Sequence, residues 1–250
     1  RARTTRATSN KHKASECMAN CCETIKICGL SHDEIARRLN KFDGFGVSFD
    51  VKEDCLDAAV TMKSAGDRTT FEMVKSRVYN AFEEEVYSAV DGVLEDIAAK
   101  LLKMNNRTLA VAESLTGGEI CSRLTSIAGI SANFYEGIVC YNRGSKTDRL
   151  GVPKAVLGEY GAVSRETAYA MVKGLCKRPV DIALATTGLA GPTGDEGKPV
   201  GLVYIAVGGG DFITVFERKF SGSRNEIRTA ASNVALFYLI RYLKGDILRL

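Results

Sequence analysis

Between residues 108 and 243 short apolar runs alternate with stretches of helical periodicity, and that alternation limits the fold more than any other feature of the chain. Strands are expected at Thr108–Ala112, Phe134–Tyr141, Asp181–Thr186, Gly201–Val207 and Phe212–Phe220. Helical patterns fill the intervals at Gly118–Ile127, onward to Cys176, and from Arg224 to Leu243. Such an order predicts a sheet with helices on both faces. Gly208-Gly209-Gly210-Asp211 joins two adjacent apolar runs, which is the mark of an antiparallel hairpin. One strand of a mixed, mostly parallel sheet should therefore run backwards. The expected architecture is a three-layer α/β/α domain over residues 89–250.

Ahead of it, residues 23–88 read as a small α+β unit. Glu23–Cys28 is a strand pattern, and Ser31-His32-Asp33-Glu34 is a capping box followed by Ile35, Leu39 and Phe42 at helical spacing. Val47–Val51 and Cys55–Met62 are strand patterns. A helix over Thr70–Tyr87 would carry Phe71, Val74, Val78, Phe82 and Val86 on one face, and another from Asp91 would turn Val93, Leu94, Ile97, Leu101 and Leu102 inward.

Residues 1–22 read as a basic, disordered tail. Arg1, Arg3, Arg6, Lys11 and Lys13 meet no acidic residue in the first stretch, so the net charge of +4 belongs to the tail and the body is near neutral. Nucleic acid is not an expected partner. Arg1 rather than Met opens the chain, as in a piece of something longer. No apolar run reaches the roughly 18 residues of a membrane span, and the N-terminus lacks the apolar core of a secretory signal. A cytoplasmic protein with reduced thiols is expected.

His12 and His32 are the only histidines. From Asp33 onward neither a histidine-based nucleophile nor a histidine-ligated metal is available. His12 with Cys17, Cys21, Cys22 and Cys28 does not have zinc-ligand spacing, and no second CxxC pair follows. Neither a metal nor a cofactor is expected.

In open α/β sheets ligands bind beyond the carboxyl ends of the parallel strands. Four polar segments would meet on that edge: Glu113–Gly118, Asn142–Lys146, Thr187–Pro192 and Ser221–Arg224. Ser114 beside helix-opening amides suits a nucleophile or an anion site, yet serine is also an ordinary cap. Arg224 sits in a second capping box, Ser223-Arg224-Asn225-Glu226. Lys146 and Tyr141 also read as a solvated lysine and a strand-end aromatic, and Thr187–Pro192 as a plain loop. Convergence on one edge favours a site.

At these residues the sequence resembles the C-terminal domain of the CinA family, the nicotinamide mononucleotide deamidases. The resemblance rests on Ala112-Glu113-Ser114-Leu115-Thr116-Gly117-Gly118, on Tyr141 with Lys146, on Thr187-Gly188-Leu189-Ala190-Gly191-Pro192, and on Lys198-Pro199-Val200-Gly201. Gly161-Ala162-Val163-Ser164 and Phe220-Ser221-Gly222-Ser223-Arg224 also match. The match spans about residues 90–250, and residues 23–88 resemble more loosely the KH-like middle domain of longer members. Their large N-terminal domain, which resembles molybdopterin-binding proteins, has no counterpart here, so its ADP-ribose pyrophosphatase activity is not expected.

The resemblance implies hydrolysis of nicotinamide mononucleotide to nicotinic acid mononucleotide and ammonia in pyridine nucleotide salvage, by a homo-oligomer. It implies Ser114 as nucleophile, Lys146 as base and Tyr141 as the group that relays or orients the proton. Burial or nearby Arg143, where the family often has Asn, would lower the Lys146 pKa. Amides of Thr116, Gly117 and Gly118 would stabilise the oxyanion. Thr187, Gly188, Ala190 and Gly191 would line the ring or ribose, and Arg224 would hold the phosphate. The competing expectations are an inactive nucleotide-binding scaffold and a regulatory protein that grips nucleic acid; Asp43-Gly44-Phe45-Gly46 lacks the GXXG spacing of a KH loop.

Overall fold

A computed structural model describes residues 21–90, 92–210 and 212–247. Most of the expected basic tail lies outside them, as do His12 and Cys17. The larger sheet contains β5 (Leu109–Glu113), β6 (Phe134–Val139), β7 (Ile182–Gly188), β8 (Leu202–Gly209) and β9 (Phe212–Lys219) in the order β6-β5-β7-β8-β9. β5 is parallel to both neighbours, whereas β8 is antiparallel to β7 and β9. Four strands therefore share one direction and β8 alone is reversed, with Gly209 paired to Phe212 across the hairpin.

Side-chain size alternates along the central strands and decides which helices lie on which face. Leu109, Val111, Ile182, Leu184, Val203 and Ile205 point to the side covered by α3 (Leu94–Met104), α4 (Glu119–Thr125) and α8 (Arg224–Lys244). Ala110, Ala112, Ala183, Ala185 and Ala206 point to the other, under α5 (Arg143–Leu150), α6 (Lys154–Glu159) and α7 (Arg165–Leu175). The short alanine side lets α7 lie close to the sheet. Every residue of α8 from Ala230 to Ile240 is buried, because this helix is covered on more than its sheet-facing side.

The smaller sheet supplies part of that cover. It holds β1 (Cys21–Cys28), β2 (Ser48–Asp54), β3 (Asp57–Ser64) and β4 (Val86–Ser88), all antiparallel, in the order β2-β3-β1-β4. Ile35 of α1 (His32–Leu39) and Phe71, Val74 and Val78 of α2 (Arg68–Ala81) complete a separate core with Ile25, Ile27, Val60 and Met62. Cys28 and Tyr87 instead join the core of the larger sheet.

Several expectations fail locally. β1 begins at Cys21, inside the expected tail. α2 stops at Ala81, and Val86, read as helical, is the first residue of β4. Val93 is exposed at the N-cap of α3. Only half of the first capping box forms: Glu34 N–H donates to Ser31 Oγ at 3.4 Å, while the Glu34 carboxylate turns to Arg37 and Arg38. The second box, Ser223 with Glu226, closes in both directions.

Cys55, read as the start of a strand, lies with Leu56 in a two-residue turn between β2 and β3. Both have positive φ, 49° and 68°, the conformation such turns need and usually give to Gly or Asn. Three contacts hold them there. Leu56 N–H donates to Glu53 Oε1 at 2.6 Å, Gly29 N–H to the Leu56 carbonyl at 2.8 Å, and Asn233 Nδ2 of α8 to the Cys55 carbonyl at 2.9 Å.

Candidate active site

The carboxyl ends of β5, β6, β7 and β9 point the same way, and the segments after them line one cavity of about 240 Å³. Ser114 and Leu115 follow β5, Tyr141 and Lys146 follow β6, Gly188 ends β7 and Leu189, Ala190 and Gly191 follow it, and Arg224 follows β9. Ala162 and Val163, of the segment before α7, complete the wall.

Lys146 lies one turn into α5, which Asn142 opens by accepting the Ser145 N–H at 2.7 Å. Helical side chains lean toward the N-terminus, and Lys146 therefore reaches back to the segment that precedes its own helix. It is 1% exposed. Its Nζ lies 2.9 Å from Ser114 Oγ, 2.9 Å from the Cys140 carbonyl and 3.4 Å from the Tyr141 carbonyl. An ammonium would donate to all three. A neutral amine would donate to the two carbonyls and turn its lone pair to the serine hydroxyl. Burial holds its pKa below the ordinary lysine value, against the weaker opposing pull of Cys140 and Glu196.

Arg143 is not part of this. Its Nε donates to Glu196 Oε1 at 3.1 Å and its Nη2 reaches the same oxygen, so burial alone, of the two expected causes, acts on Lys146. Tyr141 also departs from expectation. Its side chain is 59% exposed and its hydroxyl accepts from Arg224 Nη2 at 2.7 Å. The contact it gives Lys146 is through its backbone carbonyl. Arg224 donates further to the Gly191 carbonyl. Five guanidinium N–H groups and two partners leave donors over.

The expected oxyanion donors are rearranged. Gly117 N–H closes a turn onto the Ser114 carbonyl at 3.2 Å. Gly118 N–H donates to Glu113 Oε2 at 2.9 Å. Glu113 is fully buried and also accepts from Ile120 N–H at 3.2 Å and Cys121 N–H at 2.8 Å. Gly118 is the N-cap of α4 and has no side chain to cap it, so the carboxylate that ends β5 performs that duty. Its signal in the sequence is a lone charge in an otherwise apolar strand before a glycine-capped helix. Among the described residues the amides of Leu115, Thr116, Ala190 and Gly191 have no acceptor; all but Thr116 line the cavity.

Thr116 and Thr187 are fixed rather than free. Thr116 Oγ1 lies 2.8 Å from Thr186 Oγ1, and Thr187 Oγ1 donates to the Ala162 carbonyl at 2.7 Å. Thr187 lines the cavity together with Gly188, Ala190 and Gly191. Asp195, which sequence reasoning passed over, also lines it. No cluster of metal-ligating side chains occurs among the described residues, and no helix there is long and apolar enough to cross a membrane.

Comparison with known proteins places this arrangement in context. The CinA C-terminal domain family matches residues 92–243. A CinA-like protein of Syntrophus aciditrophicus is 39% identical over 230 residues, which are 88% of this chain and 55% of that one. The chain thus spans a little over half the length of the curated relatives it matches. Among solved structures, a competence/damage inducible protein from Agrobacterium tumefaciens is 38% identical with a TM-score of 0.57, covering 63% of this chain and 99% of that one. A CinA superfamily protein from Klebsiella pneumoniae is 30% identical with a TM-score of 0.59, covering 61% and 96%.

Proposed function

The chain belongs to the CinA family, and from that premise we propose that it is an amidohydrolase that converts nicotinamide mononucleotide to nicotinic acid mononucleotide and ammonia. One observation carries the reading: a buried lysine amine 2.9 Å from a serine hydroxyl at the floor of the cavity. With no imidazole among the described residues that line the cavity, a Ser-Lys pair is an available way to activate a hydroxyl.

In this reading neutral Lys146 takes the Ser114 proton as Oγ attacks the carboxamide carbon. The carbonyl π electrons move to oxygen, and the oxyanion is met by unoccupied amides, Leu115 first among them. Collapse of the tetrahedral species breaks the C–N bond, and Lys146 returns the proton so that ammonia departs. The ester left on Ser114 is hydrolysed by water, with Lys146 again taking and returning a proton. A cavity of about 240 Å³ is below the roughly 300–1,000 Å³ usual for a small-molecule site. It suits the carboxamide ring, while the ribose phosphate stays at the mouth, where Arg224 has donors over.

Two results are expected. Only the unprotonated amine of Lys146 accepts the serine proton, so kcat/KM should rise with pH to a plateau. Its midpoint should lie below the ordinary lysine pKa, because burial favours the neutral form. A rate that falls as the pH rises toward the ordinary lysine pKa would count against lysine as the base. Arg224→Ala should weaken binding of the nucleotide by about 10- to 100-fold, the worth of a charged hydrogen-bond pair, and leave free nicotinamide nearly unaffected in calorimetric titrations. Equal losses for both would put the phosphate elsewhere.

A further inference from the structure

One turn beyond Arg224 on α8, Arg228 grips the loop that carries Ser114. Its Nε donates to the Leu115 carbonyl at 3.1 Å and its Nη2 to the Thr116 carbonyl at 3.0 Å. The guanidinium lies against Gly117, where an added Cβ would come within 3.3 Å of Nη2. Gly117 also has a φ of 64°, so the loop is built to admit the arginine on one side and to turn tightly back onto Ser114.

We propose that Arg228 is a positioning residue for hydrolysis at Ser114: its fork fixes the Leu115–Thr116 and Thr116–Gly117 peptide planes, and with them the turn that holds the nucleophile, and polarises the amides they carry. The proposal rests on the amidohydrolase reading. In a trans peptide the carbonyl and the N–H point in opposite directions. Anchoring the Leu115 carbonyl therefore sets the direction of the Thr116 N–H, an amide with no acceptor among the described residues. Anchoring the Thr116 carbonyl does the same for the Gly117 N–H, which closes the turn onto the Ser114 carbonyl. A cation on the carbonyl side of a peptide also draws electron density from its N–H, which makes that group a stronger donor. Two carbonyls on adjacent peptides match the planar fork of a guanidinium. A lysine ammonium is a point charge on a flexible stem and would not hold both planes.

Two rates test this in the full chain: turnover of nicotinamide mononucleotide, and covalent labelling of Ser114 by a fluorophosphonate probe, which needs an aligned nucleophile but no amide substrate. Arg228→Ala should lower both by about 100-fold, the scale of misplacing a reacting atom by about an ångström, with KM within about twofold of wild type. Guanidinium ion added to Arg228→Ala should restore part of both rates. Arg228→Lys should stay about tenfold low while melting near wild type, and it decides the matter if the alanine variant does not fold. Either rate within twofold of wild type in a folded variant would overturn the proposal, as would a loss confined to KM and unaffected by guanidinium. A wild-type chain that labels at Ser114 in an Arg228-dependent way but releases no ammonia would defeat the amidohydrolase reading and leave the role of Arg228 standing.

Discussion

Lys146→Met should lower kcat by about 10²- to 10⁴-fold, the contribution expected of a general base, and change the affinity for nicotinamide mononucleotide by less than about threefold. Methionine keeps much of the length and apolar character of the lysine stem in a site that is 1% exposed, so the cavity wall survives. What disappears is the amine 2.9 Å from Ser114 Oγ, the group to which the proposed function gives the serine proton. Ammonia release measures the first quantity and calorimetric titration the second. Turnover within tenfold of wild type would mean that Ser114 is activated by something other than Lys146.

Glu113→Ala should lower the melting temperature by about 6–20 °C. The carboxylate is fully buried and accepts three backbone N–H groups at the start of α4. Its removal strips a glycine-capped helix of its acceptor and leaves buried donors unpaired, which costs about 3–5 kcal/mol. In a chain of 250 residues each kcal/mol is worth roughly 2–4 °C. Glu113→Gln, with one acceptor oxygen in place of two, should fall between. Because Ser114 is the next residue, both variants should lose activity in excess of their loss of folded protein at 25 °C. A melting temperature within 2 °C of wild type in Glu113→Ala, read by circular dichroism, would mean the amides find water or another acceptor.

Where hydrophobic period and turn chemistry agreed, the fold was legible. The apolar runs after residue 108 and the glycines at Gly208–Gly210 together imply one reversed strand, and that brings Arg224 to the same edge as Ser114. Legibility ended where a tertiary partner decided the outcome. Phe82 continues the spacing of Val74 and Val78, but the chain leaves α2 at Ala81 and Val86 pairs with Ile27 of β1. Nothing local marks that exit. Cys55 and Leu56 carry none of the residues that announce a turn, since the contact that holds Cys55 comes from Asn233 on α8. Ser31 and Ser223 begin the same capping pattern, yet Arg37 and Arg38 draw Glu34 away from the first.

The site follows the same division. That Ser114, Lys146, Thr187 and Arg224 share an edge follows from strand order, which the pattern of the chain implies. Which backbone amides remain open does not, because Glu113 occupies Gly118 N–H and the turn onto Ser114 occupies Gly117 N–H. Tyr141 shows how placement can be read where contacts cannot. It lines the cavity as expected, but its hydroxyl is held by Arg224.

Ammonia release from nicotinamide mononucleotide by the wild-type chain and by Ser114→Ala, followed side by side, tests the central claim most directly. Ammonia and nicotinic acid mononucleotide should appear in equal amounts with wild type and at no more than the spontaneous rate with Ser114→Ala. No ammonia from wild type, or equal rates from the two, would contradict it.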